Sequence, residues 1–410
     1  MLGWASFMKR FFLCFLLLLS STLSHSLTTV SPTGFNALNT LSDLSLIVLG
    51  TLFLLMTQVG FAVLEGGYIK NSKAMYNLGI SYLSALLGNT LYLLFCFILV
   101  FWGVLETENN NHYIGLYWWQ WQIFIFYILM SSTITTIVGR IIPINLSSKV
   151  YWVVGLIASG IIFPILSVSV WGDILFDRHW LKDLGFTDYA GATVIHSFAA
   201  WIVLAGYLVF WQHHQEHPKE TYYIFQEQKV LIFSLAGFVL WLAWSCLNVA
   251  FITGMVIDIT TVLINIIAVV TGVCIAMLVA AFIDAKYIKR DILIKALFGG
   301  LVAITASCGL ISGYMAFIVG LVAAGMTLVL PTLLRPWIRI RRVADVLVIH
   351  GCCGVWGTLA VLMNQFEHHP IGVSLKFQLL GIVFTFILGF GVMYWVFRWI
   401  AFHSNWMNTE

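Results

Sequence analysis

Two short stretches each place a histidine inside an apolar segment. DVLVIHGCCG, residues 345–354, contains His350, and DYAGATVIHSFAAW, residues 188–201, contains His196. Both stretches share the triplet Val-Ile-His. An ionisable residue within a membrane span is costly, and such residues usually face a bundle interior or a substrate pathway, where they tend to pair.

Two imidazoles in contact can share one proton, because one ring nitrogen donates and the other accepts. The pair then offers polar nitrogens along an otherwise apolar path. That chemistry suits a small neutral hydrogen-bonding solute, or a proton relay. The alternative is structural, with each histidine bonding only a neighbouring helix.

An aspartate precedes each histidine. Asp188 lies eight residues before His196, roughly 12 Å along a helix, and could cap that helix or support a cation vestibule. The two roles are compatible. Asp345 lies five residues before His350, after two arginines, and is expected to cap its helix.

Neither a metal centre, a resident cofactor nor an enzyme active site is expected. The pair of histidines lacks a positioned nucleophile and a third metal ligand. The seven cysteines include no CxxC pair, and most lie inside apolar runs, as buried packing residues do. Detectable bound zinc with hydrolytic activity would restore the enzyme alternative.

The composition indicates an all-α polytopic membrane protein. Of 410 residues, 61% are hydrophobic and only 9% charged. Apolar runs long enough to cross a bilayer recur along the chain, whereas the net charge of +3 makes nucleic-acid binding unlikely. The expected spans number about 11 and have these extents: 43–67, 76–103, 117–139, 149–171, 190–211, 228–251, 256–283, 292–310, 312–334, 343–364 and 376–401.

Residues 1–26 resemble a cleaved signal peptide, with a basic start, the apolar core FFLCFLLLL and a possible cut after Ser26. A retained first helix is the rival interpretation. Most Lys and Arg fall in alternate loops, so the mature N-terminus is expected outside and the C-terminus inside. The outer loops then hold only Arg178, Lys182 and Lys376. Residues 27–403 form one transport domain, followed by a short cytoplasmic tail, 404–410.

The histidine spans are the fifth and the tenth. If each half of the protein contains five helices, an odd number, the two halves cross the membrane in opposite directions. Such inverted repeats place the site near the membrane midplane. The repeats are expected at about 43–211 and 228–364, with an extra helix at 376–401.

Three stretches together resemble a known family. MTQVGFAVLEGGYIKNSKAMYNL, DYAGATVIHSFAAW and DVLVIHGCCGVWGTL are similar to motifs of the ammonium transporter family, the Amt, methylammonium permease and Rhesus proteins. The resemblance covers roughly residues 40–400 and indicates a divergent bacterial-type member. It implies a multi-pass homotrimer of the bacterial inner (plasma) membrane, in contact with lipid, with one pore in each protomer.

The resemblance also implies roles for individual residues. His196 and His350 fall on the twin histidines of the pore, and Asp188 on the acidic residue near the outer vestibule. Trp171 falls on the vestibule tryptophan that recruits ammonium by cation–π attraction. Ammonium would lose its proton at the outer mouth, and ammonia would pass along the apolar path.

Such an apolar path explains how ammonium could be separated from potassium. A bare cation is costly there, whereas neutral ammonia is not. Ammonium can shed a proton, and potassium cannot. If the proton crosses through the histidine pair, transport moves charge; if the proton stays outside, the protein is a neutral gas channel.

The chain departs from the family pattern at the mouth of the pore. The two phenylalanine gate positions carry Leu129 and Leu247, and Phe126 or its neighbour Tyr127 could supply a ring instead. The vestibule serine is replaced by Phe251, which removes a hydrogen-bond acceptor, although Trp171 and Phe251 could still form an aromatic cage.

Two further residues, Trp244 and Asn248, remain in step with the family motif as supporting residues. Family members usually carry a longer tail that docks nitrogen-regulatory signal proteins, so such a partner is doubtful here. The expected function is therefore an ammonium or ammonia channel. The alternatives are a non-conducting or weakly conducting ammonium-binding sensor, and a Rhesus-like neutral gas channel.

Overall fold

The fold is a bundle of long apolar helices. A computed structural model describes residues 41–66, 76, 79–80, 83, 86–91, 112–113, 116–139, 148–171, 179–210, 227–251, 258–284, 290–367 and 371–403. Its helices are α1 (Leu41–Gly66), α2 (Trp118–Gly139), α3 (148–171), α4 (Trp180–Asp183), α5 (Ala192–Phe210), α6 (Glu227–Ala250), α7 (Ile259–Ile283), α8 (Arg290–Thr305), α9 (Gly313–Leu334), α10 (Arg341–Phe366) and α11 (Leu375–Phe402).

The expected all-helical architecture is confirmed for the described residues, apart from one very short β-ladder. Strand β1 (His112–Tyr113) pairs antiparallel with β2 (Leu116–Tyr117), so that His112 lies opposite Tyr117. A helix is the natural form of such apolar segments, because lipid offers no hydrogen-bond partners and every backbone group must be satisfied within the segment.

Six of the described helices are long and apolar enough to cross a membrane: α3, α5, α7, α9, α10 and α11. The apolar parts of α1, α2, α6 and α8 are shorter. Helices thus occupy the first and the third to eleventh predicted spans. The second, at 76–103, is described only in part, and its described residues are helical. The predicted signal peptide and the tail at 404–410 lie outside the described residues.

Four of these helices contain a turn of π-helix. Ala192–Ser197 opens α5 and Leu347–Cys352 lies within α10, so each histidine stretch coincides with a π-helical turn. The others are Ala158–Ile162 in α3 and Ile387–Val392 in α11. A π turn inserts an extra residue and re-aims the side chains that follow, and such turns are frequent at functional sites.

Asp345 does not cap its helix, contrary to the sequence expectation. Helix α10 begins at Arg341 after the extended residue Ile340, so the free N–H groups of its first turn precede Asp345. The Asp345 carboxylate instead pairs with Lys295 of α8, with Nζ and Oδ2 2.7 Å apart. The aspartate therefore links α10 to α8.

Helices α7 and α9 approach each other through glycines. A Cβ atom at Gly272 would overlap the carbonyl oxygen of Phe317, and one at Gly320 would overlap that of Val269. Small residues at such crossings allow close backbone contact in membrane proteins. Outward side chains such as Leu263, Ile267, Leu278 and Phe282 are exposed, as expected of surfaces that face lipid.

The α7–α9 crossing gives a direct test of the packing. Gly320→Ala should force the two helices apart and lower the free energy of unfolding by about 1–3 kcal/mol. Gly325→Ala, on the same helix with nothing within 4 Å of its new Cβ, is the matched control and should be neutral or slightly stabilising. Thermal unfolding in detergent measures both, and equal midpoints would contradict the close packing.

Candidate functional site

The two histidine side chains meet in the interior of the bundle. Nδ1 of His196 and Nδ1 of His350 lie 3.3 Å apart, and the ring planes are inclined by 22° with centroids 5.3 Å apart. Both residues are buried, with 2% and 4% of their surface exposed. A hydrogen bond at this contact requires one Nδ1 to carry a hydrogen and the other to accept it.

The backbones of α5 and α10 approach closely at this point. A Cβ at Gly354 would overlap the Ser197 hydroxyl and the carbonyl oxygen of Ala192, so the crossing requires glycine there. The Ser197 hydroxyl lies 3.2 Å from the carbonyl oxygen of Gly351 and 3.4 Å from that of His350. The same crossing therefore brings the two imidazoles into contact.

An indole ring covers His196. Trp244 of α6 stacks on the imidazole with centroids 4.8 Å apart and an interplanar angle of 15°. Its Nε1–H donates to the hydroxyl of Thr305 over 2.9 Å, and that hydroxyl donates to the carbonyl of Leu301 over 2.7 Å. Thr305, at the end of α8, thus fixes the indole that packs on the histidine.

A cavity of about 340 Å³ lies at one end of the bundle and is lined by six aromatic rings: Phe126, Tyr127, Trp171, Phe186, Tyr189 and Phe251. We call it the aromatic cavity. Phe251 contacts three of the other rings, with centroids 5.3 Å from Phe126, 5.3 Å from Trp171 and 5.9 Å from Tyr189. It is 6% exposed, so this ring packs within the cavity wall.

Asp188 lies beside the aromatic cavity, but its carboxylate is fully engaged by the start of α5. Oδ1 accepts the N–H groups of Gly191 and Ala192, and Oδ2 accepts those of Thr193 and Val194, over 2.8–2.9 Å. Gly191 has φ +99°, which turns the chain so that four successive N–H groups converge. The carboxylate therefore satisfies the free donors of the histidine helix.

Asp188 also supports the cavity wall through its backbone. Its carbonyl oxygen accepts the indole N–H of Trp171 over 2.9 Å. Burial raises the pKa of the Asp188 carboxyl, and it outweighs the four backbone N–H groups, which lower that pKa. The residue precedes α5 and joins the ring of Trp171 to the start of that helix.

The segment before Asp188 is tied to the last helix. Gln378 of α11 accepts the N–H of Thr187 over 2.8 Å at Oε1, and its Nε2 donates to the carbonyls of Thr187 and Thr358, each over 2.9 Å. Gln378 is completely buried. One amide group therefore joins α11, α10 and the cavity wall.

The structure separates the sequence-predicted site residues into two groups. Trp171, Asp188, Phe126 and Phe251 line the aromatic cavity, whereas the histidine pair and Trp244 form the contact deeper in the bundle. Asn248 lies one turn before Phe251 on α6, and its Nδ2 donates to the carbonyl of Trp244 over 3.0 Å.

The two leucines do not line the aromatic cavity. Leu129 is partly exposed, and Leu247 is buried within α6. On α2, the cavity is lined by Phe126 and Tyr127 instead. The sequence analysis offered Phe126 or Tyr127 as the ring in place of Leu129, and both rings line the cavity.

Besides Gln378, sequence reasoning missed three residues. Lys182 of α4 lines the aromatic cavity, Tyr189 donates its hydroxyl to the carbonyl of Asn248 over 2.8 Å, and Thr305 holds Trp244. Tyr189 follows Asp188 directly and could have been found from that position. Within the described ranges, no group of three or more metal-ligating side chains is present.

The four hydrogen bonds to Asp188 predict a large effect on stability. Asp188→Ala should lower the free energy of unfolding by more than about 3 kcal/mol, because each buried donor left unpaired costs about 1–3 kcal/mol. Asp258→Ala is the matched control: its exposed carboxylate accepts the N–H of Thr260 at the start of α7, and its loss should cost about 1 kcal/mol. Denaturant unfolding in micelles compares them. Equal losses would contradict the role of the four bonds.

Known proteins resemble this chain along most of its length. The sequence profile of the Ammonium Transporter Family matches residues 45–404. This chain is similar to two candidate ammonium transporters of Synechocystis sp. The protein sll0537 is 31% identical over 67% of this chain, and sll1017 is 28% identical over 88% of it. The alignments cover 52% of sll0537 and 84% of sll1017, so this chain spans about half the length of the former.

Solved structures share the fold. One described as a Sensor Amt Protein superimposes with a TM-score of 0.70, is 24% identical and covers 87% of this chain and 92% of its own. At a sequence identity of 24%, this superposition shows that the two proteins share a fold and nothing further. The profile match, by contrast, extends over most of the sequence and includes both histidine stretches. The chain belongs to the ammonium transporter family.

Proposed function

We propose that the protein is a transmembrane channel-transporter for ammonium or ammonia. The observation that carries the proposal is the contact between two buried imidazoles, 3.3 Å apart, deeper in the bundle than an aromatic cavity at one end of it. Membership of the ammonium transporter family supports the same substrate. The proposal assigns the histidine pair to the substrate path and the aromatic cavity to its outer mouth.

Helix α6 gives the distance between the aromatic cavity and the histidine pair. Trp244 stacks on His196, and Phe251, seven residues later, lines the aromatic cavity. Seven residues of α-helix span roughly 10 Å. Residues 247–250, between these two rings, are buried, so a permeating species leaves water before it reaches the histidines. An unpaired cation is costly in such surroundings and neutral ammonia is not, which favours release of a proton at the mouth.

The individual roles follow from the contacts. Asp188 organises the mouth by holding the start of α5 and the ring of Trp171, and its carboxylate is bonded to backbone N–H groups of that helix start. Trp171 attracts the cation through its ring face. Phe126 packs edge-on against Phe251 and acts with it as the barrier.

The membrane arrangement is also part of the proposal. Eleven spans in two inverted repeats, N-terminus outside, follow a signal peptide at 1–26 in an inner-membrane homotrimer. The described helix ends are consistent with this order: α3 and α6 end at the aromatic cavity, and α5 begins there. Lipid covers the exposed apolar faces, and neither a resident cofactor nor nucleic acid is involved.

Transport currents test the proposal with purified protein in liposomes on a solid-supported membrane. Wild-type protein should give a current after an ammonium jump and none after a potassium jump. His350→Ala should reduce the ammonium current at least about ten-fold, because it removes one member of the hydrogen-bonded pair. His403→Ala, an exposed histidine at the end of α11, is the matched control and should leave the current unchanged.

Two other outcomes separate the alternatives. An absent current with raised ammonia permeability in stopped-flow measurements would identify a neutral gas channel. Background permeability together with ammonium binding would identify a non-conducting sensor, and the packing of Phe251 among three rings is the observation that supports this second candidate. An unchanged current in His350→Ala would contradict the role of the histidine pair.

Phe251 gives a gain-of-function prediction. Phe251→Ser removes a ring from the cavity wall and adds a hydroxyl acceptor, so the ammonium concentration for half-maximal transport should fall at least about ten-fold. Phe238→Ser, on the exposed face of the same helix, is the control and should leave it unchanged. The initial transport rate per folded protein is measured in both. An unchanged or higher half-maximal concentration in Phe251→Ser would show that the ring does not obstruct the mouth.

A further inference from the structure

One buried acceptor on the path has no partner. Asn248 is 0% exposed, and its side-chain Oδ1 makes no hydrogen bond within the described part of the chain. The orientation of the amide is settled by its other end: Nδ2 lies 3.0 Å from the carbonyl oxygen of Trp244, and only the NH₂ group can donate there. The atom that remains free is therefore an oxygen.

The position of Asn248 places this oxygen between the two parts of the site. Trp244, Asn248 and Phe251 are spaced by four and three residues on α6, so they share one face of that helix. Trp244 packs on His196, and Phe251 lines the aromatic cavity. Asn248 lies roughly 6 Å along the helix axis from Trp244 and roughly 4.5 Å from Phe251. Under the proposed function, a permeating species passes Asn248 on the way to the histidines.

The neighbouring tyrosine supports this placement. The Tyr189 hydroxyl donates to the backbone carbonyl of Asn248 over 2.8 Å, and the Tyr189 ring lines the aromatic cavity. Tyr189 thereby joins the backbone of Asn248 to the cavity wall. Its side chain is held by the Trp244 carbonyl, so the free oxygen is fixed in place before any ligand arrives.

An unpartnered buried oxygen alone does not indicate a ligand. Asn265 of α7 has the same features: it is 0% exposed, its Nδ2 donates to the carbonyls of Cys308 and Ile311, and its Oδ1 has no partner among the described residues. Asn265 does not share the face of α6 that joins the aromatic cavity to the histidine pair. Asn248 differs from Asn265 in its location between the aromatic cavity and the histidine pair. Asn265 therefore serves as a matched control.

We infer that Oδ1 of Asn248 accepts an N–H hydrogen bond from the substrate between the aromatic cavity and the histidine pair. This inference rests on the proposed function and adds a binding site to it. The ligand class is a small nitrogen species with at least one N–H, such as ammonium, ammonia or methylammonium. Tetramethylammonium and potassium have no N–H and cannot make the bond.

Two substitutions whose new side chains have the same shape as each other isolate the effect of the acceptor oxygen. Asn248→Val removes it, and Asn248→Thr keeps an oxygen on a side chain of the same shape as valine. In liposome transport, Asn248→Val should raise the KM for ammonium about ten-fold or more relative to wild type. The KM of Asn248→Thr should lie between the KM values of wild type and Asn248→Val. The same two substitutions at Asn265 should leave KM unchanged, even if they lower the amount of folded protein.

Transport outcomes distinguish this inference from the proposed function. A wild-type protein that does not transport ammonium contradicts the proposed function itself. A transporting wild type whose Asn248→Val and Asn248→Thr variants share its KM contradicts only the role of Asn248. That result would assign the free oxygen to an ordered water.

A spectroscopic measurement keeps the inference testable if the valine variant does not fold. Protein labelled with ¹³C at the asparagine side-chain amides is compared by infrared spectroscopy in ammonium and in tetramethylammonium. Ammonium should shift one amide carbonyl band to lower frequency in wild type and in Asn265→Thr, but not in Asn248→Thr. A shift that persists in Asn248→Thr, or is absent from wild type, overturns the inference.

Discussion

The site depends on four backbone N–H groups that converge on one buried carboxylate. Asp188 accepts the N–H groups of residues 191–194, and this fixes where α5 starts and how its first turn is wound. His196 lies in that turn, so its direction follows from the same bonds. Because the Asp188 carbonyl also accepts the Trp171 indole N–H, one residue sets both the wall of the aromatic cavity and the approach to the histidine contact.

The second constraint is the distance between helices. Two imidazoles on different helices meet only if the helix backbones come close, and Gly354 permits this by leaving room for Ser197 and Ala192. The indole of Trp244, itself fixed by Thr305, covers the open face of His196. The histidine contact is therefore the product of three helices, each of which contributes a small or planar side chain at the crossing.

Much of this arrangement could be predicted from the sequence. Apolar runs gave the helices, because length and hydropathy alone indicate a segment suited to lipid. The repeated Val-Ile-His triplet indicated two equivalent positions, and those histidines are in contact. The roles of Trp171 and Asp188 near one mouth came from the resemblance to the family, and both residues do line one cavity.

The remainder depended on how helices rotate and cross, which periodicity does not report. Asp345 was expected at a helix start, but α10 begins four residues earlier and the carboxylate reaches Lys295 on another helix. Leu129 was placed by counting along a helix. The rotation of α2 turns Phe126 and Tyr127 to the cavity instead. Thr305 and Gln378 act through bonds between helices far apart in sequence, and no local pattern marks them.

The amide of Gln378 has a mechanical consequence. Helix α11 follows both predicted repeats and presents much of its surface outward, yet its one buried amide holds Thr187, the residue before Asp188, by two hydrogen bonds. Any tilt of α11 must either break those bonds or carry Thr187 with it. A tilt of the last helix would therefore move the residue beside Asp188 and change the wall of the aromatic cavity. Because the thickness of a bilayer affects the tilt of the helices that cross it, the surrounding membrane would bear on the shape of the aromatic cavity.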